Sequence, residues 1–290
     1  MKEKNTIDYF ALEISDNEFT DLQKLIVRET GILLNPAKRE LIKNRLRPVL
    51  IAKELSSYGD YYKWLVNNSE RRDLHELVCS ITTNKTSFFR NPKQMELLKN
   101  EVVPELSKIN SLTSKRKLKI WSAGCSSGEE AYSIAINCLE AKPAVNLSAL
   151  SITATDIDSK ILKKARIASY APQKMKEVRQ SIVDKYFMDK KNENSNTKLT
   201  LVSTVKSCVS FKEANLTTLD TWPEETFDII FCRNVLIYMR KDYKINIIKN
   251  FYDKLNEGGY LFLGHSETLH GIDVPLSFKG HSMFRKEHVL

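Results

Sequence analysis

The sequence lacks the features that mark secreted, membrane-spanning and zinc-binding proteins. It has no run of about 18 consecutive apolar residues, the length that a bilayer-crossing helix needs. The residues after Met1 lead into no apolar segment with a small-residue cleavage site, so no secretory signal is predicted. The five cysteines are scattered, with no Cys-x-x-Cys pair and no Cys/His cluster. We therefore expect a cytoplasmic protein with reduced thiols, no bound metal and no membrane insertion.

Size and charge narrow the possible partners. The 290 residues, 42% of them hydrophobic, suffice for one large or two ordinary domains with a real core. Lysine and arginine total 45 against 36 aspartate and glutamate, a net charge of +9. Such a balance favours an acidic partner, which is nucleic acid, an anionic membrane surface or a carboxylate-rich protein. Charge alone does not choose among them.

The first part of the chain has only helical patterns. Ser15 to Glu18 has capping-box spacing, and Gly31 stands where a helix C-cap belongs. No strand pattern occurs before residue 118, so residues 1–82 are predicted to form a small all-α domain. The second helix, from Pro36 to Leu50, is basic on one face, which is either a solvated face or a docking surface. Its cations are Lys38, Arg39, Lys43, Arg45 and Arg47.

The pattern changes after residues 83–117, a predicted linker and helix that contribute to the ligand site. From residue 118 to 290, short apolar strands alternate with helices, as in a doubly wound parallel sheet. A hairpin at about 186–212 interrupts the alternation. The predicted strands are Leu118–Ala123, Ser151–Thr155, Val209–Lys212, Phe227–Cys232 and Tyr260–Gly264, with a final antiparallel pair at Leu276–Phe278 and Ser282–Arg285. The predicted helices lie at 92–109, up to Leu139, at Asp158–Ile167 and at Lys241–Asn256.

A glycine-rich turn follows the first strand and predicts a nucleotide-like ligand. Gly124 and Gly128 let the backbone turn tightly beside a ligand at a helix N-terminus. Glu129 and Glu130 open that helix, which disfavours a pyrophosphate and favours a cationic sulfonium. This points to S-adenosylmethionine rather than NAD. Asp156, at the end of the second strand, is predicted to accept hydrogen bonds from ribose hydroxyls, and Asp158 to cap the next helix.

The same turn also matches the sequence pattern of a hydrolase active site. Gly124-x-Ser126-x-Gly128 matches a nucleophile elbow, with Asp156 or Asp228 and then His265 following in the chain order of α/β-hydrolases. The sequence has no HGGG-like oxyanion loop before the turn, and Ser126 follows the first strand rather than a later one. The alternative without a catalytic role is a glycine turn whose serines cap the following helix.

Two further segments carry polar residues toward the same edge of the sheet. Cys232 to Tyr238 follows a strand, where ligands bind in such folds, and it lacks the Pro-Pro-Tyr-type motif of base methyltransferases. Asn84 to Arg90, between the helical and α/β parts, is either a linker with a helix cap or a lid that brings Arg90 over the donor.

These motifs together resemble the CheR family of chemotaxis receptor methyltransferases. They occur in the family's order, and residues 15–62 resemble its N-terminal helical domain. The matching segments are Asn84-Lys-Thr-Ser-Phe-Phe-Arg90, Trp121-Ser-Ala-Gly-Cys-Ser-Ser-Gly-Glu-Glu-Ala-Tyr-Ser-Ile134, Ala154-Thr-Asp-Ile-Asp158, Asn215-Leu216, Phe231-Cys-Arg-Asn-Val-Leu-Ile-Tyr238 and Gly264-His-Ser-Glu267.

The resemblance implies a Rossmann-like methyltransferase domain with an inserted antiparallel β-subdomain, preceded by a helical receptor-docking domain. It implies S-adenosylmethionine as cofactor, S-adenosylhomocysteine as product, and glutamate side chains of chemoreceptor cytoplasmic helices as substrates. It places Arg90 and Tyr238 nearest the methyl transfer, the basic second helix against the receptor, and the β-subdomain against a receptor tail in some members. The implied donor contacts are Asn84, Thr86, Arg90, Glu130, Asp156, Asn215, Leu216, Arg233 and Asn234.

The implied chemistry needs alignment more than acid–base catalysis. A glutamate, with a pKa of about 4.3, is already an anionic nucleophile at neutral pH. The sequence leaves two alternative functions open. One is a binding module that keeps the fold but does not catalyse methyl transfer. The other is a nucleic-acid methyltransferase, which the net charge alone would allow, although no nucleic-acid partner is expected.

Overall fold

The computed structural model describes residues 7–68, 71–82, 84–113, 117–191 and 197–288. The chain divides into two compact units. The first comprises Met1–Thr83 with Tyr238–Tyr243, and the second comprises Asn84–Ile237 with Lys244–Leu290. The short segment that contains Tyr238 therefore belongs to the helical unit, although no sequence pattern separates it from the rest of residues 118–290.

The first unit is helical in its described residues and packs around an aliphatic and aromatic core. The capping box predicted for the first helix is present, since Glu18 N–H donates to Ser15 Oγ and Ser15 N–H donates to Glu18 Oε2. Gly31 ends that helix with a φ of 70°, as a left-handed C-cap. The helices are α1 (Asp16–Thr30), α2 (Arg39–Ala52, after a 3₁₀ turn at Pro36–Lys38), α3 (Tyr58–Asn68) and α4 (Arg71–Ile81).

The second unit is built on a mixed sheet whose parallel part holds the predicted motifs. In spatial order its strands are β6, β2, β1, β7, β8, β10 and β9; the first five are parallel and the last two antiparallel. All six residues of β7 are buried, because helices cover both faces of a parallel sheet. The bounds are β1 (Leu118–Ala123), β2 (Leu150–Asp156), β6 (Val209–Glu213), β7 (Phe227–Cys232), β8 (Leu255–Leu263), β9 (Leu276–Phe278) and β10 (Met283–Lys286).

The helices of this unit differ from the sequence prediction in two of their bounds and in two short helices, Gln180–Tyr186 and Ser203–Lys206, that the pattern does not predict. The helix expected at 92–109 is interrupted by a π-helical turn, Leu98–Val102, and reaches Thr113. The helix expected to reach Asn256 ends at Lys254, because Gly258 and Gly259 lie inside β8 rather than at a helix cap. The helices are α5 (Pro92–Leu97), α6 (Val103–Thr113), α7 (Glu129–Glu140), α8 (Ser159–Ile167), α9 (Gln180–Tyr186), α10 (Ser203–Lys206) and α11 (Lys241–Lys254).

A small antiparallel sheet interrupts the parallel one, as the hairpin pattern predicts. Its strands are β4 (Phe187–Lys191) and β5 (Thr197–Leu201), joined by β3 (Ser169–Tyr170) in the order β3, β5, β4. The hairpin ends at Leu201 rather than near residue 212, because the rest of the predicted range forms α10 and then β6 of the large sheet. The two residues of β3 are too few to give a sequence pattern, so this strand was not predicted. The polar tip at 192–196 lies outside the described residues. Phe88 packs edge-on against Tyr170 and Phe187, with ring centroids 4.9 and 5.4 Å away.

The fold class predicted from the sequence is confirmed: an all-α part, then a Rossmann-like domain with a separate small antiparallel sheet. In the part of the chain that the structure describes, no helix is both long and apolar enough to span a membrane.

Candidate functional site

Four neighbouring parallel strands end at a single edge of the large sheet, three of them at polar residues and one at a glycine turn. In the spatial order β6, β2, β1, β7, the residues at or just beyond the strand ends are Asn215, Asp156, Gly124 and Arg233. Ligands bind at the carboxyl edge of open α/β sheets. The structure therefore brings together segments that lie more than a hundred residues apart in sequence.

The turn after β1 is tightly folded and requires its glycines. Gly124, Ser126 and Gly128 have φ angles of 81°, 52° and 93°. A Cβ on Gly124 would lie 2.5 Å from Val235 Cγ2, so the turn packs directly on the segment after β7. The N–H groups of Gly124 and Cys125 both donate to Thr155 O, at 2.8 and 2.9 Å. The turn is thus fixed against the ends of both neighbouring strands.

Asp156 is a buried carboxylate that faces this turn. The N–H of Ser126 donates to Asp156 Oδ2 at 2.8 Å, and the N–H of Asp158 donates to Oδ1 at 3.0 Å. Burial raises the pKa of Asp156 to about 6, although these hydrogen bonds act in the opposite direction. A carboxylate can accept about four hydrogen bonds, so Asp156 retains capacity for the hydroxyls of a ligand.

Asn84 is tied to the same edge through Asp158 and Ser126. Asp158 caps α8, as predicted, because its Oδ1 accepts from the N–H groups of Lys160 and Ile161. Its Oδ2 accepts from Asn84 Nδ2 at 3.0 Å. Ser126 Oγ donates to the main-chain oxygen of Asn84 at 3.3 Å. The segment that begins at Asn84 is therefore held beside Asp156.

Glu130 and Arg233 form a buried ion pair beneath this edge. Arg233 Nε lies 2.8 Å from Glu130 Oε2, and Ser122 Oγ donates to Glu130 Oε1 at 2.7 Å. Arg233 Nη1 also donates to the main-chain oxygen of Arg90 at 2.7 Å and to Gln94 Oε1 at 3.0 Å. Arg233 thereby connects the strand end to the segment that carries Arg90.

Thr86 and Arg90 lie in a segment that is anchored through its backbone. The ammonium of Lys174 donates to Thr86 O at 2.9 Å and lies 3.0 Å from Glu129 Oε1. The half-buried side chain of Arg90 donates from Nη1 to Lys85 O at 3.3 Å. The guanidinium of Arg90 is thus held by its own segment.

These contacts correct one step of the sequence argument. The two glutamates at the start of α7 do not leave negative charge for a cationic ligand, because Glu129 is paired with Lys174 and Glu130 with Arg233. Sequence alone could not reveal either partner. Both come from segments far along the chain.

Asn215 and Leu216 follow β6 and lie beside β2. Asn215 forms a local turn in which its Oδ1 accepts from Thr217 N–H at 3.0 Å, and its main-chain oxygen accepts from Trp222 Nε1 at 3.1 Å. Ala214 N–H donates to Asp156 O at 3.0 Å. The turn is therefore joined to the strand that ends in Asp156, and Leu216 is buried.

Asn234 has a left-handed backbone, with a φ of 60°. Its side-chain Oδ1 is buried and has no hydrogen-bond partner among the described residues. Arg233 Nη2 is likewise buried and unpartnered within that part of the chain. An unpaired buried polar atom is costly, so two such atoms at a strand edge indicate a place for polar ligand groups.

The remaining predicted site residues belong to the helical unit. The ring of Tyr238 lies under the Lys38 ammonium, 4.7 Å from its centroid, and Leu33 N–H donates to Tyr238 O. None of the five cations predicted to dock a receptor is exposed, and several have intramolecular partners. Lys43 pairs with Glu13 and Glu40, Arg39 pairs with Asp16, Arg45 donates to Thr82 O, and Arg47 stacks on Phe10.

Three residues of the network were not assigned a role from sequence. Gln94 is fully buried and donates to Leu263 O and His281 O. Lys174 was indistinguishable from other lysines in the sequence. Glu267 belongs to the Gly264–Glu267 motif, and that motif is the only sequence signal for it.

Comparison with known proteins agrees with the geometry. The family model described as "CheR methyltransferase, SAM binding domain" matches residues 84–283, and "CheR methyltransferase, all-alpha domain" matches residues 17–82. A chemotaxis protein methyltransferase of Vibrio parahaemolyticus is 35% identical over 90% of this chain and 93% of its own length. Proteins of the same name from Borreliella burgdorferi and Listeria innocua are 34% and 31% identical, over 90% and 88% of this chain and 91% of each relative.

The residues at the sheet edge fit the cofactor that this family binds. S-adenosylmethionine carries ribose hydroxyls, amino groups and a carboxylate. Asp156 has acceptor capacity for hydroxyls, while the unpartnered Asn234 Oδ1 and Arg233 Nη2 offer an acceptor and a donor. The predicted cofactor is confirmed.

The hydrolase alternative is not supported. Ser126 Oγ donates to a main-chain oxygen, and among the described residues it has no histidine partner. The family matches, the sheet-edge geometry and the relatives agree: the chain belongs to the CheR methyltransferase family, and its cofactor is S-adenosylmethionine.

Proposed function

We propose that this protein transfers a methyl group from S-adenosylmethionine to glutamate side chains of chemoreceptors and forms glutamate methyl esters. The observation that carries the proposal is the anchoring of the Asn84–Arg90 segment, through Asp158, Ser126 and Arg233, at the sheet edge that ends in Asp156. The relatives named chemotaxis protein methyltransferase support the receptor substrate. A receptor's methylation helices lie in the cytoplasm, so we also propose a cytoplasmic location.

We propose that the donor is held by the residues carried over from the family's motifs. Asp156 would accept from the ribose hydroxyls, and Asn234 and Arg233 would meet its other polar groups. Glu130 is buried and paired with Arg233. We therefore propose that Glu130 contributes to donor binding indirectly, by holding Arg233 in place. The proposed set is Asn84, Thr86, Arg90, Glu130, Asp156, Asn215, Leu216, Arg233 and Asn234.

When bound, S-adenosylmethionine supplies an electrophilic methyl group on a sulfonium. The receptor glutamate is anionic at neutral pH, so the protein needs no strong general base. Its task is to hold the carboxylate in line with that methyl group in a partly dry cleft. We propose that the Arg90 guanidinium positions the carboxylate and that the Tyr238 hydroxyl donates a hydrogen bond, the latter on the family resemblance alone.

We propose that α2 and the 3₁₀ turn before it dock an acidic receptor helix, and that their cations contribute unequally to this docking. Arg39 is paired with Asp16, whose side chain is 85% exposed and could be replaced by a receptor carboxylate. Lys43 already has two glutamate partners, Glu13 and Glu40, and therefore contributes least. Lys38, Arg45 and Arg47 complete the proposed surface.

We further propose that the three-stranded sheet binds a receptor's C-terminal tail. Strand β4 lies at an edge of that sheet, and an edge strand can pair with an extended peptide. A receptor fragment with its tail removed should then bind more weakly than the intact fragment.

The test of the proposed reaction is transfer of a radiolabelled methyl group to a receptor cytoplasmic fragment. The expected result is label that mild alkali releases as methanol, because carboxyl methyl esters hydrolyse under conditions that leave N-methyl groups intact. Substituting the receptor's acceptor glutamates with alanine should abolish labelling. Label that resists alkali, or label on RNA or DNA instead of the receptor, would contradict the proposal.

A further inference from the structure

We infer that Glu267 is a positioning residue for donor binding, which acts by holding the turn that carries Asn234. The inference deepens the proposed function and rests on the assignment of Asn234 to the donor. Glu267 lies in the segment after β8, next to the end of β7, and is 5% exposed. The proposed reaction assigns no role to this buried acid.

Four backbone N–H groups converge on this carboxylate. Glu267 Oε2 accepts from Gly264 at 2.6 Å and from Asn234 at 2.9 Å. Oε1 accepts from Val235 at 3.0 Å and from Ile237 at 3.2 Å. Three of these donors belong to the turn after β7, so a single side chain satisfies three backbone N–H groups of that turn.

The turn has an unfavourable backbone conformation that needs such support. Asn234 has a positive φ, which is uncommon outside glycine, although asparagine tolerates it better than most residues. The approach is so close that a Cβ on Gly264 would lie 2.7 Å from Glu267 Oε2 and 2.9 Å from Asn234 N. The two segments therefore fit together only with glycine at position 264.

This anchoring determines where the functional atoms of the turn lie. Asn234 Oδ1 is buried without a partner in the described residues, and Arg233, next in the chain, has its unpartnered Nη2. Val235 contacts the position where Gly124 must lack a Cβ. If the turn relaxed, Asn234 would move relative to the glycine turn and Asp156.

The carboxylate form of the side chain is essential to this role. Its two oxygens each accept two N–H groups, whereas a glutamine would point its own NH₂ at two of the four donors. Glu267→Gln keeps the size of the side chain and leaves buried donors unsatisfied, so the turn would shift to recover hydrogen bonds.

Asp228 offers a matched control at the opposite end of β7. It is 2% exposed, and it accepts from Lys119 N–H and from Asn256 Nδ2, both at 2.9 Å. Asp228→Asn makes the same chemical change in a buried acid that also accepts a backbone N–H. Asp228 lies at the start of β7, far from the end of the strand where the donor is proposed to bind. A merely structural role predicts that the two variants behave alike.

The experiment combines calorimetric titration with S-adenosylhomocysteine and thermal unfolding on the full chain. The variants are Glu267→Gln, Asp228→Asn, Asn234→Ala and the double variant Glu267→Gln/Asn234→Ala. We expect both buried-acid variants to unfold at lower temperature. We expect Glu267→Gln and Asn234→Ala to weaken binding by about tenfold or more, and Asp228→Asn by less than about twofold. The double variant should bind no more weakly than Asn234→Ala, because both changes remove one effect.

The outcomes separate this inference from the proposed donor site. If Asn234→Ala weakens binding and Glu267→Gln does so no more than Asp228→Asn, the positioning role is wrong and the donor site stands. If Asn234→Ala binds as tightly as the wild type, the assignment of Asn234 fails and the positioning role fails with it. If Glu267→Gln does not fold, Glu267→Asp keeps both acceptor oxygens on a shorter stem. It should fold with weakened binding, and unchanged affinity would overturn the inference.

Discussion

Arg233 Nε lies 2.8 Å from Glu130 Oε2, and the Arg233 side chain is only 1% exposed. This ion pair joins the end of β7 to the start of α7. The same guanidinium contacts the backbone of Arg90 and the side chain of Gln94, so one buried cation connects three segments at the carboxyl edge of the parallel strands. Glu130, at the start of α7, therefore stabilises the protein's own fold by pairing with Arg233.

Removing the Glu130 charge should destabilise the protein strongly. In Glu130→Gln the Arg233 guanidinium stays buried without its counter-charge, which typically costs about 3–5 kcal/mol of unfolding free energy. Urea unfolding checks this value. The exposed pair of Lys279 and Glu287 is the control, and Glu287→Gln should leave the midpoint unchanged. A loss below about 1 kcal/mol for Glu130→Gln would mean that the buried pair is not formed.

Donor affinity should fall as the pH falls through 6. Burial holds the pKa of Asp156 at about 6, and only the ionised carboxylate accepts two hydroxyl hydrogen bonds with both oxygens. At pH 5 about one molecule in ten is ionised, so S-adenosylhomocysteine should bind roughly tenfold more weakly than at pH 8.

The contribution of Asp156 to the stability of the unliganded protein has the opposite sign. Its folded-state pKa is raised above the unfolded value, so the stabilisation is present below pH 4 and is lost as the pH rises to about 6.

The control for the effect of pH on donor binding is Asp156→Asn, which does not titrate. Its weaker binding should be independent of pH between 5 and 8, and an unchanged slope would assign the titration to another group.

Lys174 should stabilise the carboxyl edge of the parallel strands through its ion pair with Glu129. Its ammonium bridges Thr86 O and the fully buried carboxylate of Glu129. Lys174→Met should cost about 1–3 kcal/mol, less than a fully buried pair because the lysine side chain is 42% exposed. Lys176→Met, two residues along in an exposed position, should have no effect. In a Glu129→Gln background the cost of Lys174→Met should largely vanish, and an undiminished cost would exclude the pairing.

Gly124→Ala should be more harmful than an ordinary glycine substitution at positive φ. Gly124 and Gly271 have φ angles of 81° and 73°, but only at Gly124 would a Cβ meet a neighbour, Val235 Cγ2 at 2.5 Å. Gly271→Ala should cost about 1 kcal/mol from backbone strain alone, and Gly124→Ala about 2–4 kcal/mol. Chemical unfolding measures both. Adding Val235→Ala should recover the difference, and equal costs at the two glycines would rule out the steric contact.

The sequence predicted those parts of the fold that depend on local pattern. The capping box at Ser15, the glycine turn after β1, Asp156 at the end of β2 and the final antiparallel pair each follow from a few neighbouring residues. Parallel strands share one carboxyl edge, so the approximate meeting point of the motifs also followed from the alternation of strands and helices.

What the sequence did not predict depends on pairings between distant residues. The partners of Glu129 and Glu130 lie 45 and 103 positions away, at Lys174 and Arg233, and no periodicity links them. The prediction of S-adenosylmethionine was right, but its electrostatic reason was wrong, since both carboxylates form ion pairs with cations of the protein itself. The grouping of Tyr238 with the helical unit also depends on contacts with distant residues, such as the Leu33 backbone.

The most direct test of the donor site is calorimetric titration of the full chain with S-adenosylhomocysteine at pH 7.5, for the wild type and for Asp156→Ala. A thermal unfolding curve for each protein confirms that it is folded. We expect micromolar binding by the wild type and no measurable binding by Asp156→Ala, because the buried acceptor for the ribose hydroxyls is removed. Equal affinity in the two proteins would contradict the assignment of the donor to this edge of the sheet.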